Sequence, residues 1–290
     1  MISRIKGTTK LIGLLGDPVK HSLSPLMHNT AFKALNLDYV YMAFQVKEGF
    51  IKEGIEAVKT FNLEGFNLTM PHKQRVMEYL DEVSEEAALI GSVNTVKNID
   101  GKLFGYNTDG KGFVKSLEEK NIEYKGKKIV LTGAGGAARA VAIQLAYDGA
   151  GEITIFNRTM DSAVEIVDII NKNIPSCKGK AFKLKEEELM KEIRDASIFV
   201  NCTSVGMEPN AGESIISSNK AFHKDLFVAD IIYEPKKTKL LSMAEEAGCK
   251  YMNGLMMLIW QGAIAFNIWT GKNMPVDLIK KLLEKQGFYV

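Results

Sequence analysis

Between Lys127 and Arg139 an apolar run, Lys128-Ile129-Val130-Leu131-Thr132, meets a glycine loop, Gly133-Ala134-Gly135-Gly136-Ala137-Ala138, that opens a helix-like stretch. Gly133, Gly135 and Ala138 satisfy G-x-G-x-x-G/A. The first glycine permits a tight turn, the second lets backbone approach a pyrophosphate, and the third small residue lets helix and strand pack closely. Helix N–H groups then face the phosphates, so the segment reads as a dinucleotide site, with a structural glycine turn as the alternative. A second strand-like run, Glu152 to Phe156, ends in Asn157-Arg158-Thr159, where NAD-binding folds place an Asp or Glu on the ribose 2′-hydroxyl. An amide and a guanidinium stand there instead. A carboxylate would repel a 2′-phosphate, whereas Arg158 can pair with one through a fork of donors, so these residues favour NADP over NAD.

Short segments nearer the start carry more small polar side chains than packing requires. Ser22-Leu23-Ser24-Pro25 precedes a helix with Pro25 at its first position, which makes Ser24 the natural N-cap and leaves Ser22 unexplained. Asn67-Leu68-Thr69-Met70-Pro71-His72-Lys73 ends a strand and projects Asn67, Thr69 and Lys73 toward one region. Ser92-Val93-Asn94-Thr95 and Gly105-Tyr106-Asn107-Thr108-Asp109-Gly110 add two amides and a carboxylate. Each alone also reads as an ordinary polar turn. Together they suit a polyhydroxylated ligand. Ketone reduction by a nicotinamide needs a proton on the carbonyl oxygen, and a lysine beside a carboxylate can supply it; Lys73 and Asp109 are candidates, although a lone lysine reads more readily as a solvated charge.

These groups need a frame. At 290 residues, 46% hydrophobic and 25% charged, the chain is long enough for two domains with separate cores. Strands near 128–132, 152–157, 197–202 and 226–231 alternate with helices near 137–148, 160–172 and 238–247, the pattern of a doubly wound parallel sheet. Helix 25–35, strand 39–46, helix 50–61, strand 65–69, helix 73–80 and strand 92–97 indicate a separate α/β domain before it. Leu255 to Thr270 and Val276 to Gln286 read as two closing helices, in which Trp260 and Trp269 serve packing. A cleft between two lobes, closing on ligands, is the expected place for a site.

The remaining composition excludes several classes. Lys and Arg total 37 against 35 Asp and Glu, a net charge of +2 that gives no footprint for nucleic acid. No apolar run reaches the ~18 residues that span a bilayer, and Met1 to Gly7 has no signal-peptide core, so no membrane partner and a cytoplasmic location are expected. Cys177, Cys202 and Cys249 lack paired spacing and read as reduced, buried thiols; His21, His28, His72 and His223 form no metal-ligand pattern, so no metal is expected.

Eight segments together resemble the shikimate dehydrogenase family along nearly the whole chain. They are Ser22 to Pro25, Asn67 to Lys73, Gly91 to Thr95, Gly105 to Gly110, Gly133 to Arg139, Asn157 to Thr159, Asn201-Cys202-Thr203-Ser204-Val205-Gly206-Met207 and Met257-Leu258-Ile259-Trp260-Gln261. The resemblance implies NADPH-dependent, reversible reduction of 3-dehydroshikimate to shikimate in aromatic amino-acid biosynthesis, with Lys73 and Asp109 as the catalytic dyad. It implies that Ser22, Ser24, Asn67, Thr69, Asn94, Tyr233 and Gln261 join that dyad in binding substrate. Gly133, Ala134, Gly135, Gly136 and Ala137 would cradle the cofactor, Asn157, Arg158 and Thr159 its 2′-phosphate, and Thr203, Met207 and Gly254 its nicotinamide half. The implied domains are 1–110 for substrate, 111–252 for NADP in a Rossmann-type sheet, and 253–290 as helices returning to the first domain, in a monomer or homodimer. Tyr41-Met42-Ala43-Phe44 and Trp260-Gln261-Gly262, followed by Trp269-Thr270-Gly271-Lys272, resemble the quinate/shikimate branch, whereas Thr69 and Met160 point back to the biosynthetic, NADP-using one. A non-catalytic dinucleotide-binding regulator is the reading from another class.

Overall fold

Short, continuously apolar runs become the central strands of two sheets. The computed structural model describes residues 5–289; Met1 to Arg4, most of the segment read for a leader, and Val290 lie outside the described residues. The chain divides into two units: Met1–Thr108 with Ile259–Leu282, and Asp109–Leu258 with Leu283–Val290.

The first unit runs β1 (Lys10–Gly16), α1 (Ser24–Ala34), β2 (Tyr39–Gln45), α2 (Ile51–Thr60), β3 (Gly65–Leu68), β4 (Glu82–Val83), α3 (Glu85–Ile90), β5 (Thr95–Ile99) and β6 (Lys102–Tyr106). Its sheet has the order β2-β1-β3-β5-β6-β4. β1 is parallel to β2 and β3, whereas β5 is antiparallel to β3 and β6. The reversal follows from Asp100-Gly101, whose φ values of 51° and 86° fit the two-residue turn that Asp-Gly favours between antiparallel strands. Ile55, Phe66, Val76, Val93, Val96 and Leu103 form the buried core.

The second unit runs α4 (Asp109–Glu119), β7 (Lys128–Thr132), α5 (Gly136–Tyr147), β8 (Glu152–Asn157), α6 (Met160–Asn173), β9 (Lys178–Lys183), α7 (Glu186–Arg194), β10 (Ile198–Asn201), β11 (Phe227–Asp230), α8 (Lys239–Glu246) and β12 (Lys250–Met252). All strands are parallel in the order β12-β11-β10-β7-β8-β9. The order reverses between β7 and β10, and ligands of such sheets bind outside the carboxyl ends of the strands at that reversal. The closing helices are α9 (Leu255–Thr270) and α10 (Val276–Lys285). From Ile259 to Leu282 they belong with the first unit, where Trp269 is buried and donates from Nε1 to the Val96 carbonyl at 2.9 Å.

Several expectations are corrected. The helix at 73–80 is a five-residue 3-10 turn, Arg75–Tyr79. Its flanks are fixed by Val93 N donating to Lys73 O at 2.8 Å and Asp81 N to Leu103 O at 2.9 Å, which leaves no room for a second α-turn. The strand at 92–97 starts only at Thr95, because Val93 and Asn94 bond to Lys73 and Tyr106 instead. Ser24 is not the N-cap: it lies inside α1, and its N–H donates to Ser22 Oγ at 3.2 Å. That bond accounts for the serine that capping left over. β1 escaped the periodicity because Gly13 interrupts it, a glycine whose added Cβ would stand 3.2 Å from Leu63 and 3.3 Å from Phe44. The three cysteines are free and buried, and burial raises each thiol above its ordinary pKa.

Candidate active site

In the second unit β7 delivers the glycine loop to the point where the strand order reverses. Gly133 has φ +98°, and a Cβ there would stand 2.8 Å from the Cys202 carbonyl oxygen, so turn geometry and close approach both demand glycine. Gly135 and Gly136 differ: a Cβ on either meets nothing within 4 Å. They are exposed at the start of α5, where no side chain caps the helix. That open cradle beneath uncapped N–H groups fits a pyrophosphate, while buried Ala138 lets α5 seat on the sheet. Ala134 and Ala137 flank it, half-buried.

β8 then presents Asn157, whose Nδ2 donates to Thr159 O at 2.9 Å and shapes the turn that exposes Arg158 and Thr159. No carboxylate occupies the end of β8. The loop after β10 is built on Asn201: Thr203 gives Asn201 Oδ1 both its N–H, at 3.1 Å, and its hydroxyl, at 2.7 Å, and Val205 N donates to Thr203 Oγ1 at 3.1 Å. Met207 is exposed beyond Gly206. Tyr233 is half-buried after β11, its phenol pKa raised by burial and then by Glu234. Gly254 abuts the Ile231 backbone so closely that no Cβ fits.

In the first unit the predicted hydroxyls and amides form a connected chain. Tyr41, on β2 and 2% exposed, donates its hydroxyl to Asn67 Oδ1 at 2.8 Å. Asn67 Nδ2 donates to Asn94 O at 3.0 Å and Thr95 Oγ1 at 2.9 Å. Asn94 in turn bonds Thr108, donating from Nδ2 to Oγ1 at 3.0 Å and accepting from its N–H at 2.8 Å. Both N–H groups of Asn67 are thus spent inside the protein, and an Oδ1 lone pair is what it offers a ligand hydroxyl. Thr69 follows β3, half-buried, with its N–H on Leu15 O at 3.0 Å. Lys73 is half-buried beside the same ladder through Val93. α9 brings Gln261 alongside Gly262, which faces Met27 and His28 of α1. Asp109, next after buried Thr108, opens α4, where the helix dipole favours its negative charge.

Sequence reasoning missed Tyr41 as the hydroxyl that holds Asn67 Oδ1, and Thr108 as the partner of Asn94. It also missed Asp230, 1% exposed, whose carboxyl pKa is pushed up to about 6 by burial despite the groups that donate to it. A carboxylate closing the apolar run Phe227-Val228-Ala229 was a readable signal for that last one.

Comparison with known proteins gives a consistent picture. A family model described as the Shikimate dehydrogenase substrate binding domain matches residues 14–96, one described as Shikimate / quinate 5-dehydrogenase matches 116–236, and one described as the Shikimate 5'-dehydrogenase C-terminal domain matches 254–284. The Shikimate dehydrogenase (NADP(+)) of Alkaliphilus metalliredigens is 57% identical over 280 residues, 97% of this chain and 98% of its own. The crystal structure of Shikimate 5-dehydrogenase from Listeria monocytogenes, in complex with shikimate and NAD, superposes with a TM-score of 0.95 at 48% identity, over 98% of this chain and 99% of that one. Quinate dehydrogenase from Corynebacterium glutamicum in complex with NAD is more distant: TM-score 0.87 and 30% identity, over 96% and 99% of the two chains.

Proposed function

This chain belongs to the shikimate dehydrogenase family, and we propose that it catalyses the reversible, NADPH-dependent reduction of 3-dehydroshikimate to shikimate on the route to aromatic amino acids. The observation that carries the reading is that one chain holds both an open glycine cradle followed by Arg158 and a connected set of hydroxyls and amides ending beside Lys73. Residues 1–110 bind the substrate, 111–252 bind NADP, and 253–290 complete the substrate side. The same reading makes it a cytoplasmic enzyme of a small acid, working as a monomer or homodimer.

Bound NADPH supplies a hydride to the ketone carbon. Lys73 gives a proton to the carbonyl oxygen as it becomes a hydroxyl, and Asp109 holds the ammonium in place; in the oxidative direction Lys73 takes that proton back. Ser22, Ser24 and Thr69 offer hydroxyls, Asn67 an acceptor, and Asn94, Tyr233 and Gln261 further polar groups to the ring substituents. Quinate as a second substrate is the lesser reading, since the quinate enzyme compared is 30% identical against 57% for the NADP-dependent shikimate one.

Arg158 gives a test of the cofactor half. Losing a charge-assisted bond to the 2′-phosphate costs about 1.5–3 kcal/mol, so Arg158→Ala is expected to weaken NADPH roughly 10- to 100-fold and NADH by less than about twofold. Titration of both cofactors checks this. Equal weakening of the two would assign Arg158 a structural part only. Oxidation of shikimate with NADP and recovery of a product two hydrogens lighter tests the reaction itself.

A further inference from the structure

The carboxyl ends of β7, β10 and β11 carry a buried polar row whose members face one another in register: Asn201 pairs with Thr132 on one side and Asp230 on the other. Thr132, Asn201 and Asp230 are each no more than 1% exposed. Asn201 Oδ1 accepts from the Thr132 hydroxyl at 3.2 Å and from both Thr203 donors, while its Nδ2 donates to Val205 O at 3.2 Å and Asp230 Oδ1 at 3.1 Å. Asp230 also accepts from Ile232 N at 3.1 Å and from the Thr238 hydroxyl at 2.8 Å.

An amide has a donor end and an acceptor end of nearly the same shape, and only its partners decide which way it faces. A carboxylate accepts and never donates, so Asp230 compels Asn201 to present Nδ2 to β11 and Oδ1 to Thr203. That orientation lets Oδ1 receive Thr203, and it leaves the Thr203 hydroxyl oxygen as the acceptor for Val205 N. The same carboxylate fixes the chain leaving β11 through Ile232, one residue before Tyr233. A half-satisfied buried network would be worse than an apolar one, which is why its completeness is informative.

The geometry points to Asp230 and Asn201 as positioning residues that hold the Thr203–Met207 loop and the start of the Ile231–Tyr233 segment for the nicotinamide half of the cofactor, a role that rests on the NADP reading above. Neither residue touches the reacting atoms in this account. With Asp230→Asn, two amides face each other, Asn201 loses the partner that fixes it, and the Thr203 turn loosens.

The test compares two ligands by calorimetry: NADPH, and 2′-phospho-ADP-ribose, which carries the pyrophosphate and 2′-phosphate but no nicotinamide. Asp230→Asn is expected to weaken NADPH about tenfold and leave the fragment within twofold of the parent. Thr203→Val, which removes the bridging hydroxyl at a half-buried position, is expected to act in the same direction by several-fold, and it decides the matter if Asp230→Asn does not fold. Unchanged NADPH binding, or equal weakening of both ligands, overturns the positioning role. A parent protein that binds neither ligand contradicts the cofactor reading itself, an outcome visible before any variant is made.

Discussion

Turnover at saturating substrate is expected to fall about 10²- to 10⁴-fold in Lys73→Ala, the range that a positioned general acid commands. The surroundings of Lys73 explain why the loss should be so large. Its neighbour His72 is fully buried and donates from Nε2 to Val46 O at 2.6 Å, and its own carbonyl accepts from Val93 N at 2.8 Å. The backbone of the lysine is therefore held from two directions, beside Val93 and the Asn94 that precedes β5. Proton delivery from a held group avoids the reorganisation that a mobile lysine or solvent would require. NADPH affinity is expected to change less than twofold, because the cofactor is assigned to other residues. Lys73→Arg is not expected to restore turnover: the guanidinium is planar, larger and does not give up its proton near neutral pH. Steady-state rates with both ligands saturating check all three statements, and a Lys73→Ala protein with near-parental kcat would remove Lys73 from the mechanism.

Acid sensitivity is the second large effect, and it comes from the packing of the first unit. His28 is 1% exposed, stacked 4.5 Å from Tyr41 and enclosed by Phe32, Phe266 and Trp269. Its Nδ1 has no hydrogen-bond partner, and burial lowers its pKa from 6.5 to about 3. The unfolded chain therefore takes up a proton near pH 6.5 that the folded protein refuses until about pH 3. Stability is present above pH 6.5 and is lost as the pH falls toward 3. At ~1.4 kcal/mol for each pH unit, the roughly 3.5-unit gap amounts to roughly 5 kcal/mol.

Asp230 opposes this. Its folded pKa of about 6 lies above the ordinary 3.8, so it favours the fold below 3.8 and loses that contribution as the pH rises through 6. That gap is worth roughly 3 kcal/mol, so His28 prevails and the protein weakens on acidification. His28→Leu is expected to flatten the fall between pH 6.5 and 3, while costing little at neutral pH because it also removes an unpaired buried nitrogen. Denaturant midpoints across that range measure it. Parallel pH curves for parent and variant would mean that His28 is not the group refusing the proton.

Legibility in the sequence followed burial pattern. Buried strands of the second unit are continuously apolar, and 128–132 and 152–157 were readable to the residue. Elements with glycine or charge along them were not. α4 begins Asp109-Gly110-Lys111-Gly112, which looks like a turn, yet Gly110 is glycine because α4 lies against the Ala140 backbone of α5. β9, Lys178–Lys183, hides behind its lysines, which suit an edge strand that must resist pairing with another chain. Among the site groups, motif spacing named residues but not their hydrogen-bond partners. Tyr41 and Thr108 became visible only through their hydrogen bonds to Asn67 and Asn94, while Asn201 became the partner of Asp230 once register set the two side by side.

Whether this chain oxidises and reduces a shikimate-type acid with NADP is read from kcat/KM for shikimate and quinate, each paired with NADP and with NAD. Strong activity is expected with shikimate and NADP, with a large drop when either partner is exchanged. Comparable rates with quinate or NAD, or none with any pair, would contradict that expectation.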